Sequence, residues 1–241
     1  LAGEADLAVH SLKDVPMELP EGFVLAAVAV REDPRDAFVS PKYESLEALP
    51  AGAVVGTSSL RRELMLRAKF PHLKVASIRG NVGTRLAKLD RGEFDALVMA
   101  GAGLKRLGLS ERIRHFIEPE MSLPAPGQGA LGIEVRETSA VHPFLTFLND
   151  ADTRTCCVAE RAVSRALGGS CQVPLAAYCI VQNGELWLRA HVGDYRTGEM
   201  ITAEARGAYD DPLALAASVV KELETKGALS LLEKVLRETA A

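Results

Sequence analysis

The sequence predicts an α/β protein with two lobes, the first incomplete, followed by a small C-terminal α+β domain. Three observations carry this. Between residues 54 and 106 short apolar runs alternate with helix-like segments. Two polar, proline-containing breaks flank that unit, Arg31-Glu-Asp-Pro-Arg-Asp36 and Leu123-Pro-Ala-Pro-Gly-Gln-Gly129, and suit crossings between lobes. The last third holds three strand-like runs, two of them joined by the hairpin signal Asn183-Gly184.

Taken in order, residues 6–9 read as a short buried strand that enters the polar loop His10-Ser11-Leu12-Lys13-Asp14. Residues 23–30 are apolar on both faces, as strands of a parallel sheet are. Residues 54–56 form a strand, and Thr57-Ser58-Ser59 a helix start, with serine caps and Glu63 in an early turn. That helix runs to about Phe70. Residues 74–78 form the next strand, and a glycine-containing turn from Arg79 to Arg85 leads into a helix ending near Gly92. Residues 95–99 are a third strand, followed by a short helix bearing Lys105 and Arg106. This alternation implies a parallel sheet covered by helices. Residues 130–135 form a strand that returns to the first lobe, and residues 138–148 and 152–167 read as helices. Strands at 175–181, 186–192 and 200–207 follow, then helices at 211–226 and 229–238 with Gly227 between them. The expected domains are 1–30 with 130–148, then 31–129, then 149–241.

The chain has 241 residues, 48% hydrophobic and 25% charged, an ordinary globular composition. Its longest wholly apolar stretch, residues 23–30, is far too short to span a membrane. The first residues lack the basic start and apolar core of a signal peptide. Cys156, Cys157, Cys171 and Cys179 do not suit a disulfide framework, which indicates free thiols and a reducing compartment. No histidine pairs at zinc-ligand spacing with another histidine or a cysteine, so no metal is expected. Net charge is −4, yet residues 51–115 hold 13 basic and 5 acidic side chains. A basic middle in an acidic chain fits a confined anion site, or a solvated basic face. Nucleic acid is a weaker reading, because only Phe70 and Phe94 there could stack on bases.

In the middle unit, anion-binding groups fall where strands end and helices begin. Thr57, Ser58 and Ser59 offer hydroxyls and helix N-terminal amides, followed by Arg61 and Arg62. Arg79 and Arg85 flank the next turn, and Lys105 and Arg106 follow the third strand. Ligands of open α/β sheets bind at such turns. Spaced arginines match a ligand with several carboxylates. Asp14 reads either as a turn residue or as a carboxylate that binds N–H groups and stabilises a cation. Cys171 lies in Gly168-Gly-Ser-Cys-Gln-Val-Pro174. A thiol in such a loop can carry a group covalently; taken alone it also reads as a buried structural cysteine.

The segments Val9-His-Ser-Leu-Lys-Asp-Val-Pro16, Arg31-Glu-Asp-Pro-Arg-Asp-Ala-Phe38, Val55-Gly-Thr-Ser-Ser-Leu-Arg-Arg62, Ile78-Arg-Gly-Asn-Val-Gly-Thr-Arg-Leu86, Ala102-Gly-Leu-Lys-Arg-Leu-Gly108, Leu123-Pro-Ala-Pro-Gly-Gln-Gly-Ala130 and Gly168-Gly-Ser-Cys-Gln-Val-Pro174 together resemble the porphobilinogen deaminase (hydroxymethylbilane synthase) family, in order and over the whole chain.

The resemblance implies a transferase of heme and tetrapyrrole biosynthesis. Cys171 would hold a dipyrromethane cofactor through a thioether. Four molecules of porphobilinogen would each lose ammonia and condense head to tail on that primer, and hydrolysis would release the linear tetrapyrrole. Asp14 would be catalytic, binding pyrrole N–H groups and stabilising positive charge. Ser11, Lys13, Ser58, Ser59, Arg61, Arg62, Arg79 and Arg85 would hold the cofactor's acidic arms. Arg79, Arg85, Arg106 and Gln128 would serve the substrate. The first two lobes would resemble a type II periplasmic binding protein. The expected molecule is a cytoplasmic monomer, or a plastid one after loss of a transit peptide, with no nucleic-acid or membrane partner. In the family a substantial N-terminal stretch precedes the segment matching Leu1, so the first lobe is expected to be a remnant and the chain alone a poor catalyst. The competing readings are an inactive fragment and a non-catalytic carboxylate-binding module.

Overall fold

The computed structural model describes residues 5–168 and 173–239. In chain order the strands are β1 (Leu7–Ser11), β2 (Phe23–Val28), β3 (Asp36–Val39), β4 (Val54–Gly56), β5 (Lys74–Ala76), β6 (Ala96–Ala100), β7 (His115–Ile117), β8 (Leu131–Arg136), β9 (Leu175–Gln182), β10 (Glu185–Asp194) and β11 (Glu199–Ala208). The α-helices are α1 (Leu60–Lys69), α2 (Val82–Asp90), α3 (Gly101–Arg106), α4 (Ala151–Ala166), α5 (Pro212–Thr225) and α6 (Ala228–Thr239). They build an α/β molecule on three sheets.

The N-terminal sheet has the order β1-β8-β2, with both pairings antiparallel. This corrects the parallel reading of residues 23–30. Their two-sided apolar character has another cause: the sheet is covered on both faces. Leu12, Val15, Val28 and Cys157 form one cluster, and Ala26, Ala27, Ile133, Val135 and Leu145 another. A register shift between Leu25 and Ala27 lets the adjacent Ala26 and Ala27 join the same cluster. Residues 138–148 are not an α-helix either. Only a 3-10 segment, His142–Leu148, forms there. Pro143 at its start disfavours the α conformation in the residue before it.

The middle sheet has the order β5-β4-β6-β3-β7. β4 runs parallel to β5 and β6, but β3 is antiparallel to both β6 and β7. The three strands expected to run parallel do so; β3, which begins within the polar run expected as a crossing, and β7 extend the sheet with antiparallel pairings. Alternation along β3 serves two cores: Phe38 packs with Val55, Met65 and Val98, while Ala37 and Val39 pack with Leu86, Leu97 and Met99.

The C-terminal unit is an antiparallel meander, β11-β10-β9, backed by α4 and α5. Asn183 and Gly184 have φ of 54° and 82°, the left-handed pair a two-residue hairpin requires. Two contacts tie this unit to the others. Asp150 caps α4 through Thr153, and its own N–H donates to the Val28 carbonyl (2.8 Å). Leu64 and Ala68 on α1 lie against Gly193 and Gly198, where a Cβ would stand 2.6 and 3.2 Å from them. Helix α1 is thus gripped from behind by the β10–β11 hairpin.

Candidate functional site

A cavity of about 540 Å³ opens where the three units meet. Of the residues expected in a site, Lys13, Asp14, Ser58, Ser59, Arg61, Arg62, Arg85 and Gln128 line it. Ser11, Arg79 and Arg106 do not. Ser11 is half-buried at the end of β1, Arg79 is exposed, and Arg106 donates to the Gly129 carbonyl. Cys171 lies outside the described residues, but Val173 and Leu175, just beyond it, line the cavity.

Asp36 organises one wall. It is fully buried at the start of β3. Arg61 donates to it through Nη1 (2.8 Å) and Nη2 (2.9 Å), and Arg62 through Nε (2.9 Å). Ser122 Oγ (2.7 Å) and Gln128 Nε2 (3.0 Å) complete the set. Burial alone would raise the Asp36 pKa; the two guanidiniums overcome it and hold the carboxyl far below the ordinary range. Sequence reasoning treated Arg61 and Arg62 alike, and the structure separates them. Arg61 Nη1 also donates to Ser122 Oγ (3.1 Å) and the Leu123 carbonyl (2.7 Å), so its fork is taken up inside the protein. Arg62 donates Nε to Asp36 and Nη2 to Gln128 Oε1 (3.2 Å), with Nη2 also 2.9 Å from Asp36 Oδ1; Nη1 takes part in none of these contacts. Gln128 is likewise committed, donating to the Pro34 carbonyl at 2.6 Å as well.

Beside this wall, Ser59, the residue before α1, makes no side-chain cap bond, and it lines the cavity with the first residues of the helix, whose leading amides have no partner within the helix. Arg85 donates Nε to the Gly80 carbonyl (2.7 Å), which folds it back over the turn before α2. Lys13 is half-buried. Desolvation, reinforced by the nearby Arg62, lowers its pKa to about 8 against the opposing pull of Asp14 and Asp36.

Asp14 ends a 3-10 turn and is exposed to the cavity. Its segment is held from α4. Arg161 donates to the carbonyls of Leu12 (3.4 Å), Val15 (3.1 Å), Pro16 (2.6 Å) and Met17 (3.4 Å), and Arg165 adds a bond to Met17 (2.9 Å). One residue earlier, Glu160 is fully buried. It accepts from Arg31 Nη1 (2.6 Å) and Nη2 (3.1 Å), from Gly127 N (2.7 Å) and from Cys179 N (2.9 Å). Both interlobe crossings and β9 thereby meet on one carboxylate. Asp36, Glu160 and Arg161 escaped the sequence reading. Only Asp36 left a signal, an acid directly ahead of the apolar Ala37-Phe38-Val39.

Among the described residues, no group of three or more His, Cys, Asp or Glu could hold a metal ion. No described helix is long and apolar enough to cross a membrane.

A lobed α/β protein whose central cleft sets one exposed carboxylate against several cations is the class of molecule defined here: a binder and processor of small polycarboxylates. Residues 1–142 match the family described as "Porphobilinogen deaminase, dipyromethane cofactor binding domain", and residues 154–225 match "Porphobilinogen deaminase, C-terminal domain". The chain belongs to the porphobilinogen deaminase family. It is 57% identical to the porphobilinogen deaminase of Burkholderia orbicola, covering 99% of this chain and 73% of that protein. The protein of that name from Chromobacterium violaceum is 58% identical, with 98% and 77% covered, and that from Thiobacillus denitrificans 56%, with 96% and 76%. Among solved structures, the methionine binding protein MetQ overlaps 61% of this chain and 67% of its own, at a TM-score of 0.38 and 16% identity.

Proposed function

We propose that this chain is a hydroxymethylbilane synthase, a transferase that deaminates porphobilinogen and joins four molecules head to tail on a covalent dipyrromethane primer before hydrolytic release. The carrying observation is the family match across both parts of the chain, with the Asp14 cleft between them. When bound, dipyrromethane supplies the nucleophilic pyrrole carbon that receives the first substrate unit. The residues present fit it: Lys13, Arg62 and Arg85 are cations that line the cavity, and Ser58 and Ser59 stand at a helix start. They would hold the acidic arms of primer and substrate, and Cys171 would carry the thioether.

Asp14 would place its carboxylate against pyrrole N–H groups and stabilise the cation left when ammonia departs. Arg62 would face the arms, with Asp36 fixing its orientation. Arg61 and Gln128 would build the wall rather than touch ligand. Arg79 and Arg106 lie outside the cavity and would contact substrate only after a movement of the lobes. The domain division 1–30 with 130–148, 31–129 and 149–241 is retained as part of this reading, supported by one sheet in each. So are a monomer, a cytoplasmic location and the absence of a nucleic-acid partner, in keeping with an overall acidic chain. The test is intact mass and turnover. An added dipyrrole on the chain and conversion of porphobilinogen to the linear tetrapyrrole are expected. An unmodified chain that binds porphobilinogen without consuming it would instead mark a carboxylate-binding module.

A further inference from the structure

The helical serines and threonines of this chain differ in how they use their hydroxyls. In α5, Ser218 Oγ donates to the Leu215 carbonyl and Thr225 Oγ1 to the Lys221 carbonyl, both at 2.8 Å, returning the hydroxyl about one turn back. Ser164 on α4 does not. It is only 5% exposed, and its hydroxyl bonds to no described residue. Nor is that hydroxyl sealed off. Among the described residues, the side-chain nitrogens and oxygens both enclosed and without a partner are Arg61 Nε, Arg189 Nε and His191 Nε2. Ser164 Oγ is not one of them, and Ser164 lines the cleft of about 540 Å³. A buried hydroxyl without a protein partner, open to a cavity, calls for an explanation.

Its setting points to the group it would meet. Arg161 lies three residues before Ser164 and Arg165 one after, so the three share one face of α4. That face meets the Asp14 segment, where both arginines hold carbonyls. Val15 and Pro16 of that segment line the cleft with Ser164, as do Val173 and Leu175 beyond the Cys171 run. All four are apolar. The cleft cations Lys13, Arg62 and Arg85 come from the other two units. Of the described cleft residues in the C-terminal unit, Ser164, Val173 and Leu175, Ser164 alone has a polar side chain. A polycarboxylate ligand seated against Val173 and Leu175 therefore finds one side-chain donor on that wall. Asp14, when ionised, only accepts and cannot serve a carboxylate.

We propose that Ser164 Oγ–H donates to a carboxylate arm of the pyrrole seated at the C-terminal wall of the cleft, and that Ser164 is a ligand-contact residue of this enzyme. The bond is charge-assisted, and its apolar surroundings strengthen it. In the unliganded chain the same hydroxyl is a buried polar group without a protein partner, so it costs stability. The opposite signs in the two states set Ser164 apart from a structural serine. The contact rests on the reading of the cleft as the polycarboxylate site.

The test takes Cys171→Ser as a background that cannot load a dipyrrole. Porphobilinogen is the probe in titration calorimetry, and denaturant unfolding measures the unliganded chain. Ser164→Ala should weaken porphobilinogen binding about tenfold, the scale of a hydrogen bond to a charged group. Ser164→Thr keeps the hydroxyl and should stay within about threefold. Without ligand, Ser164→Ala should be as stable as its parent or more so, because alanine is the better helix former and leaves no orphan hydroxyl. With Cys171 intact, the rise in Tm brought by the dipyrrole should shrink in the Ala variant. Unchanged porphobilinogen affinity in Ser164→Ala overturns the proposal. So do equal losses in the Ala and Thr variants, an Ala variant destabilised without ligand, and a background chain that does not bind porphobilinogen. Intact mass of the Cys171 protein reports separately whether a dipyrrole is attached. Failure of the functional reading shows there, while the calorimetry judges Ser164.

Discussion

Asp36 and Arg61 meet through both carboxylate oxygens, at 2.8 and 2.9 Å, with neither side chain meaningfully exposed. The same carboxylate serves Arg62, so two buried guanidiniums share one negative charge. Removing it leaves both unpaired, and breaking a buried pair from one side costs about 3–5 kcal/mol. Asp36→Asn should therefore lose roughly that much stability in denaturant unfolding, and retained protein should bind porphobilinogen more weakly because Arg62 loses its orientation. The sign with pH follows from the depressed carboxyl. The unfolded chain takes up its proton near pH 4, the folded one only far lower. Asp36 thus stabilises fully above about pH 4, and that contribution is lost as pH falls below it. A flat stability profile through acid would contradict this.

Lys13 carries a prediction at the opposite end of the scale. Its ammonium, lowered to about 8 by burial and by Arg62, loses charge just above neutrality. An unfolded lysine titrates near 10.4, so between about pH 8 and 10 the unfolded state holds more protons and stability rises with pH. Ligand binding moves the other way, because the cleft loses a cation over the same interval. KM for porphobilinogen should climb as pH rises through about 8. Lys13→Arg keeps the charge and should remove that limb. Identical pH profiles for the two proteins would assign the limb to another group.

How much of this was legible in the sequence divides along chain distance. Helices α1, α2 and α5 and the hairpin at Asn183 are local events, set by caps, periodicity and left-handed turn residues, and they stand where the sequence placed them. Strand direction is not local. β2 and β3 read as part of parallel arrangements or as a connection, because their antiparallel partners, β8 and β6, lie far along the chain. The cleft shows the same division. Ser58, Ser59, Arg62 and Arg85 announce themselves at helix starts after strands. Glu160 does not, since its meaning comes from Arg31, 129 residues away. Arg161 looked like any helical arginine until α4 was laid beside the Asp14 segment.

That placement makes Arg161 testable. Its guanidinium gathers carbonyls on both sides of Asp14, and among the described residues no carboxylate pairs with it. Arg161→Met removes all four bonds and keeps the stem. Displacement of the carboxylate by about 1 Å can reduce rate on the order of a hundredfold. We expect kcat to fall between about tenfold and a hundredfold while KM changes little, because the cationic wall is untouched. Asp14→Asn should lower turnover by on the order of a hundredfold or more through loss of charge. The double variant should then be no worse than Asp14→Asn alone, since both act on one group. Additive losses would show that Arg161 acts elsewhere.

The cysteines give the last prediction. Cys156, Cys157 and Cys179 are free thiols buried in the protein, the first two on α4 and the third on β9. Burial pushes the Cys157 thiol well above its ordinary range. In Cys179 a hydrogen bond with Cys156, then burial, raises the thiol further. Thiolate formation is what makes cysteine a nucleophile, so Cys157 and Cys179 are poor points of attachment, while Cys156 is buried on α4. Cys171 lies in the run Gly168-Gly-Ser-Cys-Gln-Val-Pro174, between Leu167, which closes α4, and β9. Peptide mapping of the intact protein should find the dipyrrole on Cys171 alone. Cys171→Ser should yield a chain of unmodified mass that folds but does not turn over porphobilinogen. Replacing Cys156, Cys157 and Cys179 together with alanine should leave the added mass in place, at some loss of stability from the cavities created. Dipyrrole on any of those three would displace Cys171 from its assigned role and with it the cleft geometry argued from Val173 and Leu175.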